Sequence, residues 1–309
     1  MPEKIFCWRI RDSCCRVQRG NHSSLYFDYF KAEDGKYKVL LSDTVIFPTG
    51  GGQPNDTGSI RIKEGSDDVV QVINCERVGM NAIHTTNGPL PVGAAVIVSL
   101  DWERRFDHMQ QHSGQHLISD LAEKLFNWKE KSYVEFKNVI PTSTQLDQLE
   151  SAVNDFILTG TRTQVIETEI NHRDRPEGLP SDIQEGVIRN VKMGEFLGPC
   201  CGTHVENTFQ IQAVKLLTCD KVRGGNSRVW FLVGSARISR YINATLIVDK
   251  ELNSLLSTGP ADFPKIVSKK LQQIKDLMKE VKNLKKEMKE LKKNLPSDTD
   301  DAAVPQVPQ

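Results

Sequence analysis

The chain has no apolar run approaching the roughly 18–20 residues that cross a bilayer, so a membrane protein is not expected. Its opening residues, Met1-Pro-Glu-Lys-Ile-Phe-Cys7, contain no signal-peptide core, so nothing directs it into an oxidising compartment. Net charge is also lacking: 40 Lys and Arg stand against 40 Asp and Glu, so bulk electrostatics do not demand a nucleic-acid partner. Cysteine and histidine are scarce, seven of each in 309 residues. An odd number of scattered cysteines fits reduced thiols better than a disulfide framework, and a cytoplasmic location is the expectation. What remains, 38% hydrophobic and 26% charged, describes a soluble globular protein with room for two modest domains or one with an appendage.

The zero net charge conceals an uneven distribution. Residues 265–295 carry eleven Lys and four acidic residues, a local +7, whereas the first 264 residues sum to −4. Along the same basic stretch Ile274, Leu277, Val281, Leu284, Met288, Leu291 and Leu295 follow 3-4 spacing, which predicts a coiled-coil-like helix. Pairing of that stripe would give a homodimer through 267–295. Pro296 ends it, and a disordered tail is expected over 296–309.

Upstream the pattern divides in two. Residues 1–100 read as short strands (Tyr37–Leu41, Thr44–Phe47, Ile60–Ile62, Val69–Ile73, Ala94–Leu100) separated by Gly, Pro and Asn-Gly turn signals, which predicts a small β-barrel. From Asp101 to Trp128 the periodicity becomes helical. A strand at Tyr133–Ile140 and an amphipathic helix over 145–158 follow. Strands are then expected at Gln164–Ile170, Gly186–Val191, Gln210–Leu217 and Arg228–Val233, with an irregular loop at Met193–His204. The expected class is α+β: a barrel (1–100), an α+β domain (101–245), a linker with a basic amphipathic helix (246–295), and the tail.

Two short pairs carry the chemistry. His112-Ser-Gly-Gln-His116 and Cys200-Cys-Gly-Thr-His204 each place metal-type ligands four residues apart, one helical turn in the first case. A lone histidine is usually a hydrogen-bonded structural residue. Two such pairs in so histidine-poor a chain instead predict a composite site, with zinc favoured by mixed His/Cys ligation. Spacing alone leaves His108/His112 in competition with His112/His116, and Cys201 in competition with Cys200. A metalloprotease is excluded, because its general base would be a Glu directly after the first His, where Ser113 (or Met109) stands. Gly50-Gly51-Gly52-Gln53-Pro54 is the remaining feature, read either as a tight barrel-corner turn or as backbone amides presented to a ligand.

Taken together, Thr44-Val-Ile-Phe-Pro-Thr-Gly-Gly-Gly-Gln-Pro-Asn-Asp-Thr-Gly58, His112-Ser-Gly-Gln-His116-Leu and Cys200-Cys-Gly-Thr-His204-Val resemble, in order and spacing, the editing domain of alanyl-tRNA synthetases and the freestanding AlaX-type editing proteins. The resemblance covers about residues 35–245. It implies one zinc ion at His112, His116, Cys200 and His204, in a zinc-binding editing domain behind a barrel. It further implies hydrolysis in trans of mischarged aminoacyl-tRNA, chiefly Ser-tRNA(Ala). In that role Thr44 would meet the serine hydroxyl, Gln53 would act with it in catalysis, and Gly50, Gly51 and Gly52 would line the pocket. The family commonly has Cys-Gly-Gly-Thr-His, and here Cys201 replaces the first glycine. Longer relatives continue into a C-terminal globular domain that helps to hold tRNA. Four protein ligands would close a tetrahedral zinc, and closed sites are normally structural. A noncatalytic, zinc-stabilised RNA-binding or coiled-coil interaction protein is therefore the alternative expectation.

Overall fold

The computed structural model describes residues 21–31, 35–63, 68–79, 81–128, 134–169 and 187–294. The expected tail at 296–309 and the first 20 residues lie outside this set.

Six antiparallel strands form the first layer: β1 (Asn21–Lys31), β2 (Tyr37–Leu41), β3 (Gly58–Ile62), β4 (Val69–Val78), β5 (Asn81–Thr86) and β6 (Ala95–Leu100). Their order, β1-β2-β5-β4-β3-β6, closes on itself because β1 pairs with both β2 and β6. The β-barrel expectation is met, and closure leaves no unpaired strand edge. Alternation explains the inside: Val39 and Leu41, Val70 and Val72, and Val96 and Val98 point inward at two-residue spacing around a core completed by Ile60 and Cys75.

The expected strand at Thr44–Phe47 does not form. Val45, Ile46 and Phe47 are buried in succession (3%, 1% and 3% exposed) without pairing to any strand among the described residues. The segment is irregular and is pinned by Phe47 N–H donating to Asp56 Oδ2 at 2.8 Å and Asp56 N–H donating to Phe47 O at 2.9 Å.

Helix α1 (Trp102–Phe126) begins where the sequence changes character, with the Asp101 carboxylate accepting Arg104 N–H. It ends at Asn127, whose left-handed backbone (φ 54°) turns its N–H back to Ala122 and Glu123. Helix α2 (Ser143–Ile157) starts with a reciprocal Thr142/Gln145 capping box and buries Leu149, Val153 and Ile157. Two three-stranded antiparallel sheets complete the layer. One has the order β10-β9-β8, from β8 (Thr163–Glu169), β9 (Val187–Met193) and β10 (Phe196–Pro199). The other has the order β11-β12-β7, from β7 (Glu135–Phe136), β11 (Val214–Lys221) and β12 (Ser227–Val233). The expected Tyr133–Ile140 strand contracts to two residues, and part of the expected loop Met193–His204 becomes β10, which folds back on β9 through Gly194 (φ 64°). Met109, Leu117, Ile118, Phe136, Leu149, Val205, Val214 and Val233 belong to one shared core.

Residues up to Ser239 form one compact unit and those from Arg240 another. The second contains most of α3 (Ser235–Leu256) and all of α4 (Phe263–Asn294). Helix α3 therefore runs across residue 245. The basic stretch is helical as expected, and Ile274, Leu277, Val281, Leu284, Met288 and Leu291 remain 49–66% exposed along it. No described helix is long and apolar enough to cross a membrane.

Candidate metal centre

Helix α1 carries His108, His112 and His116 at one-turn intervals. The latter two converge with Cys200 and His204, so that one ligand atom from each lies within 4.8 Å of the others. Cys200 Sγ is 3.2 Å from His112 Nε2. The three imidazoles gather at centroid separations of 4.9, 4.7 and 5.2 Å, with Phe196 of β10 against His116 at 4.6 Å. Cys201 is not in the group; it is disulfide-bonded, a departure from the expectation of reduced thiols throughout.

The donor set fits a cation. His116 Nε2 and both ring nitrogens of His204 are buried without a hydrogen-bond partner, although buried polar atoms are nearly always paired. Burial is the main reason that His112 titrates down near 3, aided by the neighbouring His116 and Arg189, and that His116 titrates down near 4. His204 is lowered well below the usual histidine value for the same reason. The rings are thus held neutral, the form that binds metals. Burial raises the Cys200 thiol, against which the Gly202 amide and Arg189 act.

His108 takes another part. Its Nδ1 faces Asp56 Oδ1 at 3.8 Å. The Asp56 carboxylate is fully buried against Arg105 of α1, whose Nε donates at 2.8 Å and whose Nη2 also contacts it. Burial alone would raise this carboxyl; His108 and Arg105 outweigh it and hold it below the ordinary value. Arg105 also donates to Val45 O at 2.6 Å, so one buried ion pair fastens the irregular 44–58 segment to the helix that carries the ligands.

Gln53 makes the second attachment. The chain turns at Gly50–Gln53, with reciprocal backbone hydrogen bonds between those two residues (3.1 and 3.0 Å) and positive φ at Gly51 (59°) and Gly52 (77°). Positive φ at both central positions is the hairpin turn that glycine permits. The Gly50 N–H is engaged within this turn, while Gly51 and Gly52 are exposed. Beyond the turn, the buried Gln53 Oε1 receives His112 Nδ1–H at 2.9 Å and Thr203 N–H at 2.9 Å. Its Nε2 donates to Thr203 Oγ1 at 2.9 Å. Donation from Nδ1 fixes the tautomer of His112 and leaves Nε2 bare toward Cys200.

The ligand loop is held from the other side as well. Arg189 of β9 donates to the carbonyls of Cys200 (2.7 Å) and Gly202 (3.3 Å), and Ser113 Oγ accepts Val205 N–H at 3.1 Å. The intervening residues of His112-Ser-Gly-Gln-His116 therefore have structural work: Ser113 anchors the loop, and Gly114 admits Val233 of β12, which a Cβ would meet at 2.5 Å.

Residues 188–229, which include Cys200–His204, match the family described as “Threonyl and Alanyl tRNA synthetase second additional domain”. Over 256 residues the chain is 36% identical to “Alanyl-tRNA editing protein Aarsd1-A” of Xenopus laevis and 38% identical to “Alanyl-tRNA editing protein Aarsd1” of Mus musculus, in each case 79% of this chain and 60% of the relative. It is 30% identical over 283 residues to “Putative alanyl-tRNA editing protein alaX” of Saccharomyces cerevisiae, covering 81% of this chain and 62% of the relative. Over the matched residues, the chain is similar to proteins named as alanyl-tRNA editing proteins. It spans about three-fifths of the length of these relatives.

Beside the Cys-Gly-Gly-Thr-His pattern that the resemblance implies, Cys201 is instructive. A Cβ at Gly202 would lie 2.0 Å from His112 Cε1 and 3.0 Å from Gln53 Oε1, so the second glycine of the editing-family loop is the one that the site requires. Thr44 is placed differently from Gln53. Its hydroxyl meets His84 Nε2 (2.9 Å) and Ile46 N–H (3.1 Å) rather than any member of the metal group. The sequence assigns no individual role to Asp56 and Thr203, which stand within the quoted motifs, or to His84, Arg105 and Arg189, which carry no local signal. Each acts across 40 or more residues, apart from the short-range contacts of Arg189.

Proposed function

We propose that this chain is a zinc-containing aminoacyl-tRNA deacylase that acts in trans on the ester of serine misattached to alanine tRNA. The observation that carries the reading is the joining of the Gly-rich segment to the four-ligand group through Gln53, His112 and Thr203. The names of the relatives, which call them alanyl-tRNA editing proteins, agree with it.

The substrate follows from a limit on discrimination. A synthetase pocket built for alanine rejects an analogue with an added hydroxyl only weakly, by a factor on the order of 100. A second site can instead require the hydroxyl, and Thr44 is the group proposed to meet it. His112, His116, Cys200 and His204 would hold the zinc, an ion suited to imidazole nitrogens combined with a thiolate sulfur. A bound zinc ion supplies a fixed positive charge and Lewis acidity. Gln53 keeps His112 in the right tautomer and, with both acceptor positions of its carbonyl occupied, retains one Nε2–H for a ligand. The exposed amides of Gly51 and Gly52 are proposed to meet the aminoacyl-adenosine end. An aminoacyl ester is already activated, so a positioned water and a polarised carbonyl suffice without a covalent nucleophile.

A homodimer through 267–295 is a separate proposal, supported by the exposed apolar stripe of α4. Sedimentation of the full chain and of a chain cut before 265 tests it; equal protomer counts would remove it. For the activity, full-length protein loaded with zinc is incubated with alanine tRNA carrying serine or alanine. Preferential release of serine is expected. Release of neither amino acid by folded, metal-loaded protein would sink the enzyme reading in favour of a noncatalytic RNA-binding role.

A further inference from the structure

His84, on β5, is fully buried inside the barrel, and its two ring nitrogens have different partners. Nδ1 lies 3.2 Å from the carbonyl oxygen of Val39, on β2. A carbonyl can only accept, so Nδ1 carries the ring proton; the opposite tautomer would set a lone pair against a lone pair. Burial pushes the ring's pKa down to about 4, so at neutral pH there is one proton and no second. Nε2 is then a bare acceptor, and the group 2.9 Å from it is the Thr44 hydroxyl, which must donate.

That assignment fixes the hydroxyl completely. A threonine oxygen has one proton and two acceptor positions. The proton goes to His84, and one acceptor position is filled by Ile46 N–H at 3.1 Å. One lone pair remains. Thr44 can therefore accept from a ligand and cannot donate to one. We infer that His84 is a positioning residue that commits the Thr44 proton inward, so that the site selects an aminoacyl side chain able to donate a hydrogen bond. The inference rests on the proposed editing reading for the identity of the ligand, but the polarity of Thr44 stands on the barrel's own contacts.

The consequence is a specificity finer than hydroxyl against methyl. Serine can donate. Alanine cannot, and neither can β-fluoroalanine, which is close to serine in size but offers only an acceptor. Facing Thr44, the fluorine would meet a lone pair and gain nothing. With the His84 acceptor removed, the Thr44 hydroxyl is free to turn and donate outward, and the distinction between serine and β-fluoroalanine should shrink.

The test compares kcat/KM for alanine tRNA charged with serine, β-fluoroalanine or alanine, using the full chain and its His84→Phe form. The parent should release serine at least about tenfold faster than β-fluoroalanine, the size of one hydrogen bond to a buried partner. In folded His84→Phe that ratio should fall about tenfold, a change in selectivity that mere loosening of the barrel would not produce. An unchanged ratio in folded His84→Phe overturns the inference. Nitrogen NMR of the histidine rings, in the unaltered chain and in folded Thr44→Val, provides a measurement that depends neither on the folding of His84→Phe nor on any activity. His84 should show a protonated Nδ1 and an unprotonated Nε2, and Thr44→Val should move the Nε2 signal toward that of a free acceptor. A protonated Nε2, or one indifferent to Thr44→Val, overturns the inference even if serine is released. If no ester is cleaved, the editing reading fails, and the NMR result alone still decides the polarity of Thr44.

Discussion

Gly202→Ala is the substitution whose effect on the metal group can be worked most directly from the geometry. An added Cβ would stand 2.0 Å from His112 Cε1 and 2.3 Å from its Nδ1, where ordinary contact begins near 3.4 Å. One of the two must yield by about 1.4 Å, and neither is a loose end. The loop is held by Arg189 and by Thr203, and the ring by Gln53 and its two imidazole neighbours. Metal ligands tolerate displacements of only about 0.2 Å. The ring would leave both its ligand position and its hydrogen bond to Gln53. Loss of such an outer hydrogen bond alone weakens metal binding by roughly 10–100-fold. Gly202→Ala should therefore lower zinc affinity by about 100-fold or more, some 2.7 kcal/mol, measured by competition with a chromophoric chelator. Gly225→Ala is the control: it is strained by its positive φ (77°) but lies elsewhere, with only Asn138 Oδ1 at 3.6 Å. Affinity within threefold of the parent in a folded Gly202→Ala protein would refute the placement of His112 against this loop.

Three further outcomes are expected. Cys200→Ser should lower bound zinc far more than Cys201→Ser, by metal analysis of the purified proteins; the reverse order would reassign the ligand. Asp56→Asn removes the carboxylate charge of a fully buried ion pair and should cost about 3–5 kcal/mol in urea unfolding, whereas Lys215→Ala, from a half-exposed pair, should cost less than about 1 kcal/mol. His84 titrates near 4 when folded against about 6.5 when unfolded, so the unfolded chain takes up the proton first as the pH falls. Its contribution is intact above pH 6.5 and should decline by about 2 kcal/mol at pH 5 and about 3 kcal/mol at pH 4, read as the difference in pH dependence between the parent and His84→Phe.

The parts legible in the sequence were those with local causes. The one-turn spacing of His112 and His116, the change to helical periodicity at Asp101 and the apolar stripe of α2 each lie within a few residues, and periodicity finds them. The barrel was legible through short apolar runs set between Gly, Pro and Asn-Gly turn signals. The same signals misassigned Thr44–Phe47, because a run of buried residues can be a strand inside a core or an irregular segment held by side chains such as Asp56. What joins the site together was hidden. Gln53 is 59 residues from His112 and 150 from Thr203, and no periodic pattern registers a hydrogen bond at that separation. The choice between His108 and His116 likewise depends on distant residues, since Cys200 and His204 gather with His112 and His116 while His108 faces Asp56. Resemblance to the editing family pointed to the same four ligands without supplying that reason.

The central claim is that the metal group and the Gly-rich segment form one site for removing serine from alanine tRNA. The most direct measurement is the release of each amino acid from Ser-tRNA(Ala) and Ala-tRNA(Ala) by the zinc-loaded full chain, repeated after chelation. Serine released in clear preference to alanine, with release lost along with the metal, is the predicted result. Equal release of both, or of neither by folded and loaded protein, would contradict the account.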